Sequence, residues 1–148
     1  MKPINIICTG NLKEKYLKEA ASEYQKRLQK HCDLNIFEIK EVGLENESAL
    51  IINKINQNPK EFVILCDIFG QKLNSEQFSC LLSEKINQNS GITIIIGGSD
   101  GVNREVKRRA DLLISFSDFT FPHQMFRVIL LEQIYRAFKI MKNEKYHK

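Results

Sequence analysis

Three short stretches carry the residue types that could do chemistry. They are the turn Gly97-Gly98-Ser99-Asp100-Gly101, the run Phe116-Ser117-Asp118-Phe119-Thr120-Phe121-Pro122-His123, and the terminal Tyr146-His147-Lys148. Adjacent glycines let a backbone come close to a ligand, so that peptide N–H and C=O groups can read it. His123 stands where the following helix starts and could cap it. Neither G-x-G-x-x-G nor G-x-x-x-x-G-K-[ST] occurs, so the glycine pair is neither a dinucleotide fingerprint nor a phosphate loop. No nucleophile elbow and no hydrolase are expected. Cys8, Cys32, Cys66 and Cys80 show no C-x-x-C spacing, and only His31, His123 and His147 accompany them. Reduced thiols in a cytoplasmic protein, and no metal site, are therefore expected.

These stretches must be held by the elements around them. Ile4–Thr9 is apolar and β-branched and ends at Gly10, which reads as a strand. Residues 12–30 place Leu17, Ala20, Ala21, Tyr24 and Leu28 at helical spacing. A strand over 34–39 and a helix over 44–56 follow, the latter with Ala49, Leu50, Ile52 and Ile55 as its apolar positions. Then come two similar units. Lys54-Ile55-Asn56-Gln57-Asn58 leads to the apolar strand Phe62–Cys66 and the turn Asp67-Ile68-Phe69-Gly70. Lys85-Ile86-Asn87-Gln88-Asn89 leads to the strand Ile92–Ile96 and the Gly97–Gly101 turn. A helix over 74–87, with Phe78, Leu81, Leu82 and Ile86 inward, joins them. A short basic helix over 102–110 and a strand over 112–116 complete the pattern. Strands apolar on both faces imply a parallel sheet covered by helices. The expected architecture is one α/β domain over residues 1–148, a mostly parallel sheet flanked by helices. In such sheets ligands bind beyond the carboxyl ends of the strands, where the loops 67–70, 97–101 and 117–123 lie.

The last helix organises the rest. Pro122 fits its first position, and no Gly or Pro interrupts the chain to Lys142. Leu130, Leu131, Ile134, Ala137, Phe138 and Met141 share one face, and Glu132, Arg136, Lys139 and Asn143 the other. Val128–Leu131 is apolar on all sides, which implies burial by the core plus a second subunit. Arg127 falls on the apolar face near a helix N-terminus, where an unpaired cation is costly. It must be either an internal ion pair or a ligand contact.

The composition is 43% hydrophobic and 27% charged, ordinary for a globular protein, with no apolar run long enough for a signal peptide or membrane span. Charge is unevenly placed: residues 102–148 carry a net +5 and residues 1–101 a net −1. Arg104, Lys107, Arg108 and Arg109, with Arg136, Lys139, Lys142, Lys145 and Lys148, suit a polyanion, nucleic acid first.

Taken together, Ile96-Gly97-Gly98-Ser99-Asp100-Gly101, Phe119-Thr120-Phe121-Pro122-His123, Arg127-Val128, Glu132-Gln133-Ile134-Tyr135-Arg136-Ala137 and Tyr146-His147-Lys148 resemble one family closely. It is the RlmH family of bacterial ribosomal RNA methyltransferases, within the SPOUT class. The Leu12–Tyr16 start and the Cys66–Gly70 turn agree as well, so the resemblance spans the chain.

The resemblance implies a C-terminal trefoil knot and a homodimer that binds S-adenosylmethionine in the knot. It implies methylation of the position-three ring nitrogen of a pseudouridine in large-subunit ribosomal RNA, on the assembled ribosome. Cofactor contacts then fall at Cys66, Gly97, Gly98, Phe116, Ser117, Asp118, Phe119, Thr120 and Phe121. Other members often carry Leu at Cys66. The imide nitrogen holds a proton at neutral pH, so a base is needed, and His123, at the helix start beside the cofactor loop, is the best-placed one, with Tyr146 and His147 as rivals. The terminal Tyr146-His147 would help close the other subunit's site, and Arg136, Lys139 and Lys142 would contact RNA phosphates. Two other functions fit the same fold. One is a non-catalytic ribosome-binding assembly factor; the other is a related knotted methyltransferase acting on ribose or on transfer RNA.

Overall fold

A computed structural model describes all residues, 1–148. Ten elements alternate along the chain: β1 (Pro3–Thr9), α1 (Lys15–Leu28), β2 (Asp33–Ile39), α2 (Leu44–Asn56), β3 (Phe62–Lys72), α3 (Ser75–Gln88), β4 (Ile92–Ile96), α4 (Arg104–Arg109), β5 (Leu112–Ser115) and α5 (His123–Met141). The strands form one parallel sheet in the order β2-β1-β4-β3-β5. The α/β architecture expected from alternating apolar strands and amphipathic helices is the one observed.

Strand alternation sorts the core into two layers. Ile4, Ile6, Cys8, Ile64, Ile92, Ile94, Ile96 and Ile114 point to one face, where Leu17, Ala21 and Leu28 of α1, Phe78 and Leu82 of α3, and Leu130 to Phe138 of α5 cover them. Ile7, Val63, Leu65 and Ile95 point to the other, covered by Ile51 and Ile55 of α2 and Val106 of α4. All five residues of β4 are buried, as its place at the centre of the sheet requires. Beneath the amino ends of the strands, buried Glu61 accepts hydrogen bonds from Asn5 (2.8 and 2.9 Å) and Thr93 (2.5 Å), tying β1 and β4 to the residue that precedes β3.

Four expectations need correction. Pro122 is the residue before α5, with φ −53° and ψ 135°, and the helix starts at His123 and ends at Met141. On α2, Ala49 and Leu50 are exposed, whereas Glu47 and Ser48 are buried. Both are buried as hydrogen-bond acceptors: Glu47 takes the N–H groups of Val42 and Gly43 at 2.9 Å, and Ser48 that of Asn103 at 3.0 Å. The short basic helix spans only Arg104–Arg109, begun by the Asn103 side chain accepting from Val106 N–H. Finally, β3 does not end at Cys66. It bulges at 67–70 and resumes at Gln71-Lys72, so that Cys66 and Gln71 both pair with Ile114 of β5. Gly70 makes this possible, since a Cβ there would stand 2.6 Å from the backbone of Leu113 and Ile114.

The segment from 116 to 122 leaves the sheet at its β5 edge. It delivers His123 to Thr9, at the end of β1. Because β3 and β4 lie between β5 and β1, this segment crosses their carboxyl ends.

Candidate active site

The three carboxyl-end loops enclose a cleft of about 480 Å³, within the range of pockets that take a small molecule. Leu65, Cys66 and the 67–69 bulge form one wall, Ile96 to Val102 a second, and Ile114 to Phe121 a third, with His123, Phe126 and Lys107 at the margins. Half of the lining residues are hydrophobic. Of the nine residues expected at a cofactor, Cys66, Gly97, Gly98, Phe116, Ser117, Phe119, Thr120 and Phe121 lie on this cleft. Asp118 does not: it is exposed and turned to Lys72, with its carboxylate 2.5 Å from the ammonium.

The glycine pair has a protein-side reason for its type. A Cβ on Gly98 would stand 2.9 Å from Glu47 Oε1 and 3.1 Å from the Thr9 methyl, and one on Gly97 3.0 Å from Val102. Gly101, at φ +78°, closes the turn by donating its N–H to the Gly98 carbonyl at 2.9 Å. The spelling glycine-any-serine-any-glycine over 97–101 does match a nucleophile elbow, contrary to expectation. The geometry does not: Ser99 is exposed on the turn, the helix begins only at Arg104, and no imidazole bonds the serine.

In the third loop, Ser117 Oγ accepts from Phe119 N–H at 3.0 Å, and Ser115 Oγ donates to the Ser117 carbonyl at 3.1 Å. Phe116 packs edge-on against Phe78 and Phe126, with centroids 5.6 and 5.0 Å away, and Phe121 stacks on Phe126 at 6.2 Å. Burial pushes the Cys66 thiol up to about 12, so the residue is an uncharged part of the wall. No group of three or more His, Cys, Asp or Glu side chains could hold a metal ion, and no helix is long and apolar enough to cross a membrane.

The start of α5 is pinned to the end of β1. His123 Nε2 lies 2.6 Å from the Thr9 carbonyl, which can only accept, so this nitrogen carries a proton and, in the neutral ring, the lone pair is on Nδ1. One turn on, buried Arg127 pairs with Glu38 at 2.6 Å and donates to the Gly10 carbonyl at 2.8 Å. Arg127 is thus the internal ion pair of the two readings. Lys13 N–H donates to Gln124 at 2.8 Å, adding a third tie.

The tail is ordered against its own helix and away from its own cleft. Tyr146 packs edge-on to Tyr135 at 4.9 Å, with the Arg136 guanidinium 4.9 Å from its ring. Its phenol donates to Glu132 at 3.3 Å, and burial followed by a hydrogen bond with Tyr24 pushes its pKa well up. Such a phenol donates rather than takes a proton. His147 Nδ1 faces Arg136 at 3.0 Å and Nε2 faces Glu76 at 2.8 Å. Arginine only donates and the carboxylate accepts, so both ring nitrogens are engaged. The twelve or thirteen residues of helix between His123 and the Tyr135-Arg136 platform separate these groups by roughly 20 Å.

Two of the three expected RNA contacts are occupied within the chain. Arg136 clamps Glu132 at 2.5 and 2.9 Å, and Lys139 pairs with Glu144. Lys142 is exposed and makes no ion pair. Two groups escaped the sequence reading: Glu132, which holds Tyr146 and Arg136 together, and Lys107, which reaches the cleft 3.9 Å from Asp67. Lys107 was legible only as one of a basic run, because nothing in the sequence says which of its members turns to the cleft.

Comparison with known proteins agrees with this geometry. Residues 1–147 match the family described as Predicted SPOUT methyltransferase. The chain is 48% identical over 155 residues to the ribosomal RNA large subunit methyltransferase H of Caldicellulosiruptor bescii, covering 98% of this chain and 99% of that one. It is 48% identical over 159 residues to the protein of the same name in Clostridium perfringens, at the same coverages. Among solved structures, a probable methylase family protein from Haemophilus influenzae superposes with a TM-score of 0.63 at 13% identity, over 98% of this chain and 70% of that one. A transfer RNA methyltransferase from Aquifex aeolicus gives 0.53 at 19% identity, over 90% and 69%. At these identities the structures speak for the fold alone, and the family rests on the sequence matches. The chain belongs to the SPOUT methyltransferase family, in the group of proteins named ribosomal RNA large subunit methyltransferase H.

Proposed function

We propose that this protein transfers a methyl group from S-adenosylmethionine to the position-three ring nitrogen of a pseudouridine in large-subunit ribosomal RNA. It does so in the cytoplasm as a homodimer, with the assembled ribosome as substrate. The observation that carries the reading is the cleft at the strand carboxyl ends, built from the three loops that the sequence singled out. Its residues fit the cofactor: apolar and aromatic walls for the adenosine, Asp67 and Asp100 for cationic groups, and Lys107 for a carboxylate. When bound, S-adenosylmethionine supplies an electrophilic methyl group on a sulfonium sulfur.

The chain's own residues have three tasks. The first is to hold the acceptor nitrogen in line with the methyl group, since positioning supplies much of the acceleration in such a displacement. The second is to take the imide proton, which is held at neutral pH. His123 is suited to it, because the Thr9 carbonyl fixes the proton on Nε2 and leaves Nδ1 to accept another. The positive pole of α5 beside it favours the anion left behind. The proton removed from the imide would then rest on His123 Nδ1, with Nε2 still held by the Thr9 carbonyl. The third task is to close the site. Tyr146 and His147 lie too far along their own helix to do so in their own subunit, which supports their completing the neighbour's. The crossing of the 116–122 segment over β3 and β4 supports a threaded, knotted backbone beneath the cleft.

Mass mapping of large-subunit RNA from cells lacking this protein tests the reading. One methyl group should disappear from a pseudouridine and return when the gene is restored; an unchanged map sinks the proposal. The purified protein should methylate whole ribosomes far faster than protein-free RNA, and equal rates would remove the assembled ribosome from it.

A further inference from the structure

The second wall of the cleft, residues 96–102, hangs between two supports. At one end it continues from β4, which is buried at the centre of the sheet. At the other end it reaches Asn103, and there the start of α2 takes hold of it. Ser48 Oγ accepts the Asn103 backbone N–H at 3.0 Å, and Asn103 Nδ2 donates to Glu45 at 3.2 Å. Between the supports, Glu47 Oε1 and the Thr9 methyl stand directly behind Gly98, where an added Cβ would meet them at 2.9 and 3.1 Å.

Glu47, Ile51 and Ile55 share one buried stripe of α2, and Ser48 is wholly buried beside it. A helix that merely covered the sheet would carry apolar side chains at 47 and 48 too, since a buried polar group is costly unless it is used. Glu47 is used. Its Oε2 takes the N–H groups of Val42 and Gly43, both at 2.9 Å, which fixes the carboxylate at the start of the helix. The other oxygen, Oε1, is the one that lies against Gly98.

Backbone groups that read a ligand must be held to within about 0.5 Å, because hydrogen bonds weaken steeply with poor geometry. Gly97 and Gly98 cannot supply that rigidity themselves, since glycine has more conformational freedom to lose than any other residue. We propose that Glu47 and Ser48 are positioning residues: the start of α2 sets the place of the Gly97–Gly101 turn, and through it the affinity for the methyl donor. Neither residue lines the cleft, so each acts through the loop rather than by touching the cofactor. The inference rests on the methyl-transfer reading above and names what prepares its donor site.

The test measures S-adenosylmethionine affinity and stoichiometry by calorimetry on the full-length protein, beside melting temperature and turnover on whole ribosomes. Ser48→Ala, which strands the Asn103 N–H, should weaken cofactor affinity about tenfold. Glu47→Ala should weaken it at least as much. Glu47→Gln, which keeps the shape and an acceptor oxygen, should recover most of that loss. In the two alanine variants the KM for cofactor should rise, while stoichiometry, the KM for ribosomes and kcat at saturating cofactor stay near wild type. Ile55→Val, on the same stripe but two turns further from the loop, should lower the melting temperature and leave cofactor affinity unchanged. A loss in Ile55→Val equal to that in Ser48→Ala would overturn the inference, since any loosening of α2 would then suffice. So would wild-type cofactor affinity in the alanine variants, or a loss confined to kcat or to the KM for ribosomes. If Glu47→Ala does not fold, Ser48→Ala set against Ile55→Val decides the matter. A wild type that binds no S-adenosylmethionine fails the proposed function itself, and the positioning role with it.

Discussion

Arg127 shows how a residue at an unfavourable position earns its place. Its charge sits on the buried face of α5 near the positive pole, and the structure answers with Glu38 and the Gly10 carbonyl. Arg127→Ala should cost about 2–4 kcal/mol of stability, because a buried carbonyl loses its donor and a cavity opens. Cofactor affinity should weaken as the start of α5 loosens. A variant with unchanged melting and cofactor binding but lost RNA binding would reverse the assignment. The thiols make a second prediction at this scale. Burial pushes Cys8 up to about 11 and Cys32 and Cys66 up to about 12, while Cys80 is exposed. At pH 8 alkylation of the native protein should mark Cys80 alone, read by peptide mass. Folding favours the protonated thiols, so their contribution is complete below the ordinary thiol value and is lost as pH climbs toward 11–12. The urea midpoint should therefore fall between pH 8 and pH 10, less steeply in Cys32→Ala.

Element boundaries were legible in part. The all-apolar strand over 92–96 is central and buried, and the helix expected from 74 starts beside its Asn74 cap, whereas the cap at Asn103, which delays the basic helix to Arg104, went unread. The second half of β3 was not legible, because Asp67-Ile68-Phe69-Gly70 reads as a turn and only the backbone of β5 recaptures the chain beyond it. Gly70→Ala should push Gln71 and Lys72 off β5, at a cost of roughly 1–3 kcal/mol, and reduce cofactor affinity, since the bulge forms one wall of the cleft. Wild-type stability and cofactor binding in that variant would mean that the bulge has room to spare.

For the molecule as a whole, the decisive arrangement is the distance between each cleft and its own tail. If two copies exchange tails, a dimer of His123→Ala chains and a dimer of chains lacking Tyr146–Lys148 should each be inactive. Mixing and re-annealing them should restore about a quarter of wild-type activity, because half of the dimers then hold one intact site of two. No recovery would mean that the tail serves its own subunit or none.

The sequence by itself determined the α/β alternation, the parallel sheet and the three loops that meet at its carboxyl ends. Each of those follows from residue type, period and short-range capping, which act over a few neighbours. Tertiary structure alone decided which polar groups are already spent: Arg136 on Glu132, His147 on Arg136 and Glu76, and Asp118 on Lys72. It also set the start of α2 behind the glycine turn. Partners that lie far apart in sequence, such as His147 and Glu76 or Ser48 and Asn103, leave no local pattern, because their meeting depends on how the helices pack rather than on what either residue prefers alone.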